Sequence, residues 1–496
     1  MICVSIARSR MRHLMAEHKH LVDQGAALIE LRLDYIAGDI QIKKLLEGRP
    51  SPVIATCRRE EDGGRYRGTE EQRLQILRTA VAEGVDYVDL EEDTAALIPR
   101  FGKTKRIVSH HDFEKTPDDI ADIHARLAAL DADIVKIATM ACTPRDNLRM
   151  LKLVQSSKVP TVGICMGEIG TPSRLLAGKF GSPFTFATFH HERTLAPGQL
   201  SFQEMTEVYH YDEIKSDTDV YAVIADPVGH SMSPLVHNAA LHEQGVNGAY
   251  VPFRVPREHL AEFLNDAPQL GIRGLSVTIP HKEATIPHLD KIDRVVHDIG
   301  AANTVVMSEE GLVGYNTDAR AILESIAHQM DCSYSDEQFL KGRRALILGS
   351  GGVARAVAYA LTRSGASVDI AGRTPERTKQ LADRFGCQAV DWAARQGVDC
   401  DILVNCTPVG MHPNVDESPY AKHRLKPSML VFDTVYNPES TLLVKEARSQ
   451  GCGIVSGLEM FVRQAAIQYN LFTGEKAPVD LMRDVLRRAI GPARIS

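Results

Sequence analysis

Eight short apolar runs of β-type residues recur over the first 213 residues, each followed by a longer stretch whose apolar side chains fall at helical spacing. The runs are Ile2 to Ala7, Leu28 to Leu33, Val53 to Cys57, Tyr87 to Leu90, Arg106 to His110, Ile134 to Ala138, Thr161 to Met166 and Phe184 to Phe189. Between Thr69 and Glu83, for example, Leu74, Leu77, Ala80 and Val81 line one helical face. Eight βα units in so short a stretch predict a compact (β/α)8 TIM barrel, although an open doubly wound sheet satisfies the same alternation.

The full 496 residues exceed what one core ordinarily serves, so further domains are expected. His210 to Asp219 carries charge without periodicity and reads as a linker, placed at 214–219. A second α/β pattern opens with Val220 to Ala225, and after a junction at Asp331 to Gly342 the stretch ALILGSGGVARAV begins what reads as a nucleotide-binding domain. With 57 Lys plus Arg against 64 Asp plus Glu and no like-charged tail, a nucleic-acid or membrane-surface partner has no electrostatic support. No apolar run approaches bilayer length, and MICVSIARSR lacks the basic-then-apolar start of a leader. Nine scattered cysteines without zinc spacing read as reduced, buried thiols. The expectation is a soluble cytoplasmic protein without a metal site.

Catalytic residues of a barrel project from the carboxyl ends of its strands, and unusual polar residues cluster there. Glu30, Arg32 and Asp34 alternate along the second run, Arg58 follows the third, His110 and His111 end the fifth, and Arg174 lies beyond the seventh. Lys136 interrupts the apolar sixth run. Desolvation there disfavours an ammonium, and a neutral amine can form a Schiff base with a carbonyl substrate. An imidazole such as His111 is suited to moving a proton beside the iminium carbon, and the arginines suit a carboxylate. Taken singly, a strand lysine is more often paired with an acid and tandem histidines often cap a loop; the convergence of six such residues on one barrel end favours chemistry.

The motifs ELRLD, SHHDF-EKTP, VKIAT and LAPGQ, in that order, resemble type I 3-dehydroquinate dehydratase over nearly all of residues 1 to 210. The resemblance implies Lys136 as the Schiff-base lysine, His111 as general acid/base, and Ser5, Glu30, Arg32, Arg58, Arg174 and Gln199 as substrate contacts. The chain departs from the family pattern at Leu195, where a Ser or Thr commonly precedes APGQ, and at Asp62, where Glu commonly precedes Gly-Gly.

In the C-terminal half, GSGGVAR follows the apolar run Ala345 to Leu348 and precedes a helical stretch, the context in which glycines let a backbone approach a pyrophosphate at a helix N-terminus. The next strand ends in Gly372-Arg373-Thr374 with Arg377 a turn later, cations that suit the 2′-phosphate of NADP; Asp369, the competing candidate for an NAD ribose, lies inside the strand. Upstream, DPVGHSMSP, VTIPHK, GAANT and NTD supply Ser231, Ser233, Lys282, Asn303 and Asp318. A lysine and an aspartate beside a nicotinamide suit ketone reduction on a hydroxylated ring. These motifs, with GRT-PER, NCTPVGM and SGLEMFVRQA, resemble shikimate dehydrogenase from about Tyr221 to about Leu486. The resemblance implies Lys282 as acid/base with Asp318 as partner. It implies Ser231, Ser233, Thr278, Asn303, Tyr436 and Gln464 as shikimate contacts. For NADP it implies Gly349, Ser350, Gly351, Gly352, Val353, Ala354, Arg373, Thr374, Arg377 and Gly457. Gly372 stands where Asn is common, and SGLEMFVRQA is expected to return beside Lys282.

The expected organisation is a dehydratase barrel at 1–213, a linker at 214–219, an α/β shikimate-binding domain at 220–330 and 457–490, and a Rossmann NADP-binding domain at 335–456. The resemblances together imply a multifunctional lyase and oxidoreductase, arranged like the fused enzyme of plants, running two consecutive steps of the shikimate pathway toward chorismate and the aromatic amino acids. Its partners would be 3-dehydroquinate, 3-dehydroshikimate and shikimate, and a homodimer is compatible with the sequence. The rival readings are NAD-linked quinate oxidation in the second half, a class I aldolase in the first, and one half kept as a non-catalytic module.

Overall fold

A computed structural model describes residues 1–190, 194–336 and 338–491. Within them the chain gathers into two compact units: Met1–Pro234 with Asn247–Ile272, and Leu235–Val246 with the residues from Arg273 onward.

In the first unit, eight strands form a nearly closed parallel barrel: β1 (Ile2–Ile6), β2 (Leu28–Arg32), β3 (Val53–Thr56), β4 (Tyr87–Glu91), β5 (Lys105–Asp112), β6 (Ile134–Met140), β7 (Thr161–Met166) and β8 (Thr185–Thr188). Each strand pairs with its chain neighbour from β1 to β7, and β8 returns to β1. The doubly wound alternative is thereby set aside. Because strand side chains alternate, one residue in two points inward. Cys3, Leu28, Ile54, Ile107, Ile134, Val162 and Phe184 belong to one apolar cluster, with Tyr87 against it. Two residues further along six of these strands the same face turns polar, at Ser5, Glu30, Thr56, Asp89, Ser109 and Lys136, all buried. An apolar floor therefore carries a polar layer at the carboxyl ends, where the helices and loops begin.

Two boundaries differ from expectation. β2 stops at Arg32, so Asp34 lies in the following 3-10 turn (Leu33–Tyr35), where its two oxygens accept bonds from Arg32 Nε and Nη2 at 2.9 and 2.8 Å. β5 runs through Asp112, so His111 is held by a strand ladder, opposite Ala138. The stretch read as a linker is ordered: Thr218 Oγ1 donates to Asn247 Oδ1 at 2.7 Å and Lys179 Nζ donates to the Thr218 carbonyl, also at 2.7 Å. The same unit holds β9 (Asp219–Ala225) and β10 (Gly248–Arg254), paired in parallel along their whole length.

In the second unit, β11 (Ile272–Val277) pairs antiparallel with β13 (Thr304–Ser308), β13 antiparallel with β14 (Gly311–Tyr315), and β12 (Lys291–Ile292) parallel with β14. A six-stranded parallel sheet follows, made by β15 (Arg344–Leu348), β16 (Ser367–Gly372), β17 (Gln388–Asp391), β18 (Ile402–Asn405), β19 (Leu430–Asp433) and β20 (Gly453–Val455). Its order, β17-β16-β15-β18-β19-β20, is that of a Rossmann sheet, with the switch point between β15 and β18. Ala345, Ile347, Val357, Leu361, Ile370, Val404 and Phe432 fill the space between this sheet and the helix Gly352–Arg363.

All nine cysteines are free; Cys3, Cys57, Cys165 and Cys452 are buried, but Cys142 and Cys332 are exposed, so burial does not describe the whole set. Among the described residues no helix is long and apolar enough to cross a membrane.

Candidate active sites

Ser5, Glu30, Arg32, Arg58, His111, Lys136, Arg174 and Gln199 all line one pocket of about 60 Å³ at the carboxyl end of the barrel. Asp62, Phe113, Phe186 and Leu195 complete much of its wall, so both family departures stand at the site. The polar layer is cross-bonded. Glu30 accepts from Ser5 Oγ at 2.5 Å and Thr56 Oγ1 at 2.8 Å. Lys136 Nζ lies 2.9 Å from Asp89 Oδ2, 3.8 Å from Glu30 Oε1 and 4.4 Å from the centre of the Phe186 ring. Lys136 thus does not stand in an apolar hole, as its neighbours in sequence suggest. It faces a carboxylate across the barrel.

Burial opposes the charge of Asp89, but Arg58, Lys136 and His111 together with the Ser109 hydroxyl outweigh it and hold its carboxyl well below the usual range. Arg58 spans Asp89 at 2.8 Å and Glu91 at 3.1 Å, and its Nη1 lies 3.4 Å from His111 Nδ1, a contact that a neutral ring accepts. Burial first, then the charges of Arg58 and Lys136, push the His111 pKa well below 6.5. The imidazole is therefore a base at neutral pH.

Arg174 sits on the short helix Thr171–Leu175 and is 2% exposed. Nη2 makes a 3.4 Å contact to the Pro197 carbonyl, and Nε is buried with no hydrogen-bond partner among the described residues. Burial pushes its pKa down to about 10, which leaves it cationic. A buried guanidinium without an acid suits an anion brought by substrate. Gln199 Oε1 accepts from Leu195 N at 2.8 Å and Ala196 N at 3.1 Å, which shapes the loop and leaves its amide nitrogen to donate.

In the second unit, Lys282 follows β11 and its Nζ lies 2.6 Å from Asp318 Oδ2. Asp318 opens the helix Thr317–Gln329, capped by Asn316, and its other oxygen accepts from Asn303 Nδ2 at 2.9 Å. Asn303 also binds Thr317, by Nδ2 to Oγ1 at 2.9 Å and by Oδ1 from the backbone N–H at 2.8 Å. The SGLEMFVRQA stretch forms the helix Gly457–Thr473. Its Gln468, which sequence reading missed, donates to the Asn303 carbonyl at 3.1 Å and accepts from Ser276 Oγ at 2.8 Å. Gln464 on the same helix and Thr278 just past β11 are partly buried, as is Tyr436, whose ring lies 5.0 Å from that of Phe461. Ser231 and Ser233 belong to the first unit and stand at the head of the helix Ser233–Glu243, where Ser231 Oγ accepts from Ser233 N at 3.3 Å.

The glycine loop fits a dinucleotide. Gly349 has φ +112° and comes close to Cys406, whereas a Cβ at Gly351 or Gly352 would meet nothing within 4 Å. Gly351 caps the helix Gly352–Arg363 without a side-chain bond, so its first N–H groups face the loop. Ser350, Gly351, Gly352, Arg355, Arg377 and Arg384 line a cavity of about 380 Å³. Arg373 and Thr374 are exposed at the tip of β16, while Val353 and Ala354 lie in the first turn of the helix. Asp369 is held by Arg344 Nη2 at 3.2 Å within the sheet. At Gly457 a Cβ would lie 2.4 Å from the Val435 carbonyl, which explains the glycine there.

Fold and sites together define a two-headed carbonyl enzyme, a barrel lyase joined to a dinucleotide-linked dehydrogenase. Family models agree: type I 3-dehydroquinase matches residues 2–216, the shikimate dehydrogenase substrate binding domain 223–305, the shikimate 5'-dehydrogenase C-terminal domain 457–487, and a coenzyme F420-dependent NADP oxidoreductase 344–435. A chloroplastic bifunctional 3-dehydroquinate dehydratase/shikimate dehydrogenase of Arabidopsis thaliana is 37% identical over 511 residues, covering 98% of this chain and 84% of that one. A shikimate dehydrogenase crystallised with NADP+ matches with a TM-score of 0.52 at 34% identity, over 56% of this chain and 98% of the other. A shikimate 5-dehydrogenase of Thermus thermophilus, with NADP(H) and shikimate, matches with a TM-score of 0.50 at 36% identity, over 55% and 100%. The chain belongs to the bifunctional 3-dehydroquinate dehydratase/shikimate dehydrogenase family.

Proposed function

We propose that Lys136 and His111 dehydrate 3-dehydroquinate and that Lys282 and Asp318 serve the reduction of 3-dehydroshikimate to shikimate with NADPH. The family supplies the two activities. The observation that carries the residue assignment is one barrel pocket that holds a lysine, a neutral histidine and a buried arginine whose Nε has no partner among the described residues.

In the barrel, Arg174 and Arg32 hold the substrate carboxylate and hydroxyls, while Ser5, Glu30 and Gln199 orient the ring. Lys136 Nζ, after its ammonium passes a proton to the His111 imidazole, adds to the ketone carbon; His111 returns that proton to the carbinol hydroxyl, which leaves as water to give an iminium. The iminium withdraws electrons from the neighbouring C–H, whose proton passes to the His111 imidazole. The ring hydroxyl then leaves as water, taking that proton back from His111, and hydrolysis of the imine frees both lysine and 3-dehydroshikimate. Asp89 stabilises each cationic state of Lys136 at no cost in rearrangement, since Arg58 and Ser109 already fix it.

In the dehydrogenase, NADPH would supply a hydride when bound. The glycine loop Gly349–Ala354 would hold its pyrophosphate, Arg373, Thr374 and Arg377 its 2′-phosphate, and Gly457 its nicotinamide end. Lys282 Nζ delivers a proton to the carbonyl oxygen as it becomes an alcohol, and Asp318 holds that ammonium in place. Ser231, Ser233, Thr278, Asn303, Tyr436 and Gln464 bind the hydroxyls and carboxylate of shikimate.

The domain division that goes with this reading is 1–213, 214–219, 220–330 with 457–490, and 335–456. Nine free thiols support a reducing compartment such as the cytoplasm; small-molecule partners, neither nucleic acid nor membrane, and a homodimer complete the proposal. The test is a coupled assay: 3-dehydroquinate plus NADPH should consume NADPH, and Lys136→Met should abolish the coupled rate while leaving reduction of added 3-dehydroshikimate intact. NADPH consumption in Lys136→Met equal to that of the native chain would overturn the assignment.

A further inference from the structure

Glu168 lies in the turn after β7, between the dehydratase pocket and the segment that leads to Ser231, and every residue involved belongs to the first compact unit. On one side, the Gly167 N–H donates to the Pro197 carbonyl at 3.1 Å. A Cβ at Gly198 would sit 2.3 Å from the Gly167 carbonyl, so this turn and the loop carrying Gln199 are in direct backbone contact. On the other side, Glu168 Oε1 accepts from the Gly229 N–H at 3.1 Å and Oε2 from Arg254 Nη1 at 3.0 Å. Arg254 Nε in turn donates to Asp226 Oδ1 at 2.8 Å. The barrel carboxylate therefore holds the 226–231 loop at two points, directly at Gly229 and through Arg254 at Asp226. Ser231 is two residues beyond Gly229, with its own N–H bonded to the Val228 carbonyl at 3.0 Å.

We propose that Glu168 is a positioning residue for the dehydrogenase: a side chain of the dehydratase barrel that fixes the loop presenting Ser231 and Ser233, so that shikimate affinity depends on it. The proposal rests on the assignment of Ser231 and Ser233 to shikimate. Fixing the loop in advance lowers the ordering cost that binding otherwise carries. Glu168 touches neither substrate nor cofactor, and its effect belongs in KM for shikimate.

The test uses full-length Glu168→Ala, Glu168→Gln and Ser231→Ala, each assayed for shikimate oxidation with NADP+ and for dehydratase turnover. Glu168→Ala should raise KM for shikimate by about two- to fivefold, the scale of a half-exposed charged contact, with kcat and KM for NADP+ within about twofold of the native values. Glu168→Gln, which keeps an acceptor for Gly229, should recover part of that rise. A role confined to stability would move kcat and both KM values together, or none of them, and either pattern overturns the proposal. If Ser231→Ala raises KM for shikimate and Glu168→Ala does not, positioning fails while the loop assignment stands. If Ser231→Ala leaves KM unchanged, the loop assignment itself has failed and the proposal falls with it.

Discussion

The ammonium of Lys136 and the carboxylate of Asp89 face one another across the barrel at 2.9 Å, and Asp89 is at the same time held by Arg58 and Ser109. Removing the lysine leaves Asp89 with two partners, so Lys136→Met should fold. Borohydride added to the native chain with 3-dehydroquinate should fix a covalent adduct to the peptide bearing Lys136, and mass spectrometry of Lys136→Met should show none. An adduct persisting at another lysine would remove Lys136 from the imine role.

With His111 as the proposed dehydratase base, its depressed pKa predicts the acid side of the rate profile. Since burial and the charges of Arg58 and Lys136 disfavour its protonation, the acid limb of kcat/KM should fall below pH 6.5. A bound carboxylate adds negative charge to the pocket and favours the imidazolium. The acid limb of kcat should therefore lie at higher pH than that of kcat/KM. Rate profiles from pH 4.5 to 8 read both, and an acid limb in kcat/KM above 6.5 would contradict the environment described.

The inward face of the barrel was legible wherever a polar residue interrupts an apolar run, as at Lys136, or alternates with apolar ones, as at Glu30 and Arg32. Asp89 obeys the same period-two rule with Tyr87 and Glu91, but one acid in the short run Tyr87 to Leu90 carries no signal of the partners it meets. At Asp34 the alternation continues past the point where the strand gives way to a turn. The burial of Arg174 Nε without a partner among the described residues and the bonds of Gln468 have no local signal, since each depends on what the fold brings near. Glu168 is likewise unremarkable in sequence, being one acid in a turn.

Lys282 and Asp318 stand 2.6 Å apart, and the proposed proton transfer in the dehydrogenase rests on that pair. Lys282→Met should lower kcat for shikimate oxidation by about 10²- to 10⁴-fold while shikimate binding, followed by calorimetry, persists. Asp318→Asn should fall between that variant and the native chain. Dehydratase turnover measured on the same samples should stay at the native value, and native-like oxidation in Lys282→Met would remove the lysine from its role.

Arg373 and Arg377 are exposed just past β16, and Arg377 lines one cavity with Ser350, Gly351 and Gly352, whereas Asp369 is engaged by Arg344 inside the sheet. Arg373→Glu should cut kcat/KM for NADPH by about ten- to a hundredfold, as expected for loss of a charge-assisted phosphate contact, with far less effect on NADH. Parallel assays with shikimate and quinate in each cofactor direction also separate the quinate reading. A loss that is equal for NADPH and NADH would place Arg373 elsewhere than at the 2′-phosphate.

Gly372, where the resemblance to shikimate dehydrogenase leads one to expect Asn, has a local reason in this protein. A Cβ there would stand 2.3 Å from Thr378 Oγ1 and 3.1 Å from Ser350 Oγ. Thr378 is buried, and its hydroxyl donates to the Thr374 carbonyl at 2.9 Å, so the side chain is not free to swing away. Gly372→Asn should therefore destabilise the Rossmann domain by about 1–3 kcal/mol, the usual cost of overpacking. Thr378→Ala removes the opposing atom at the loss of one hydrogen bond. The double variant should recover most of the stability lost in Gly372→Asn, a coupling that denaturant unfolding of the four chains can measure. Additive losses in the double variant would show that the Gly372 backbone does not meet Thr378 as described.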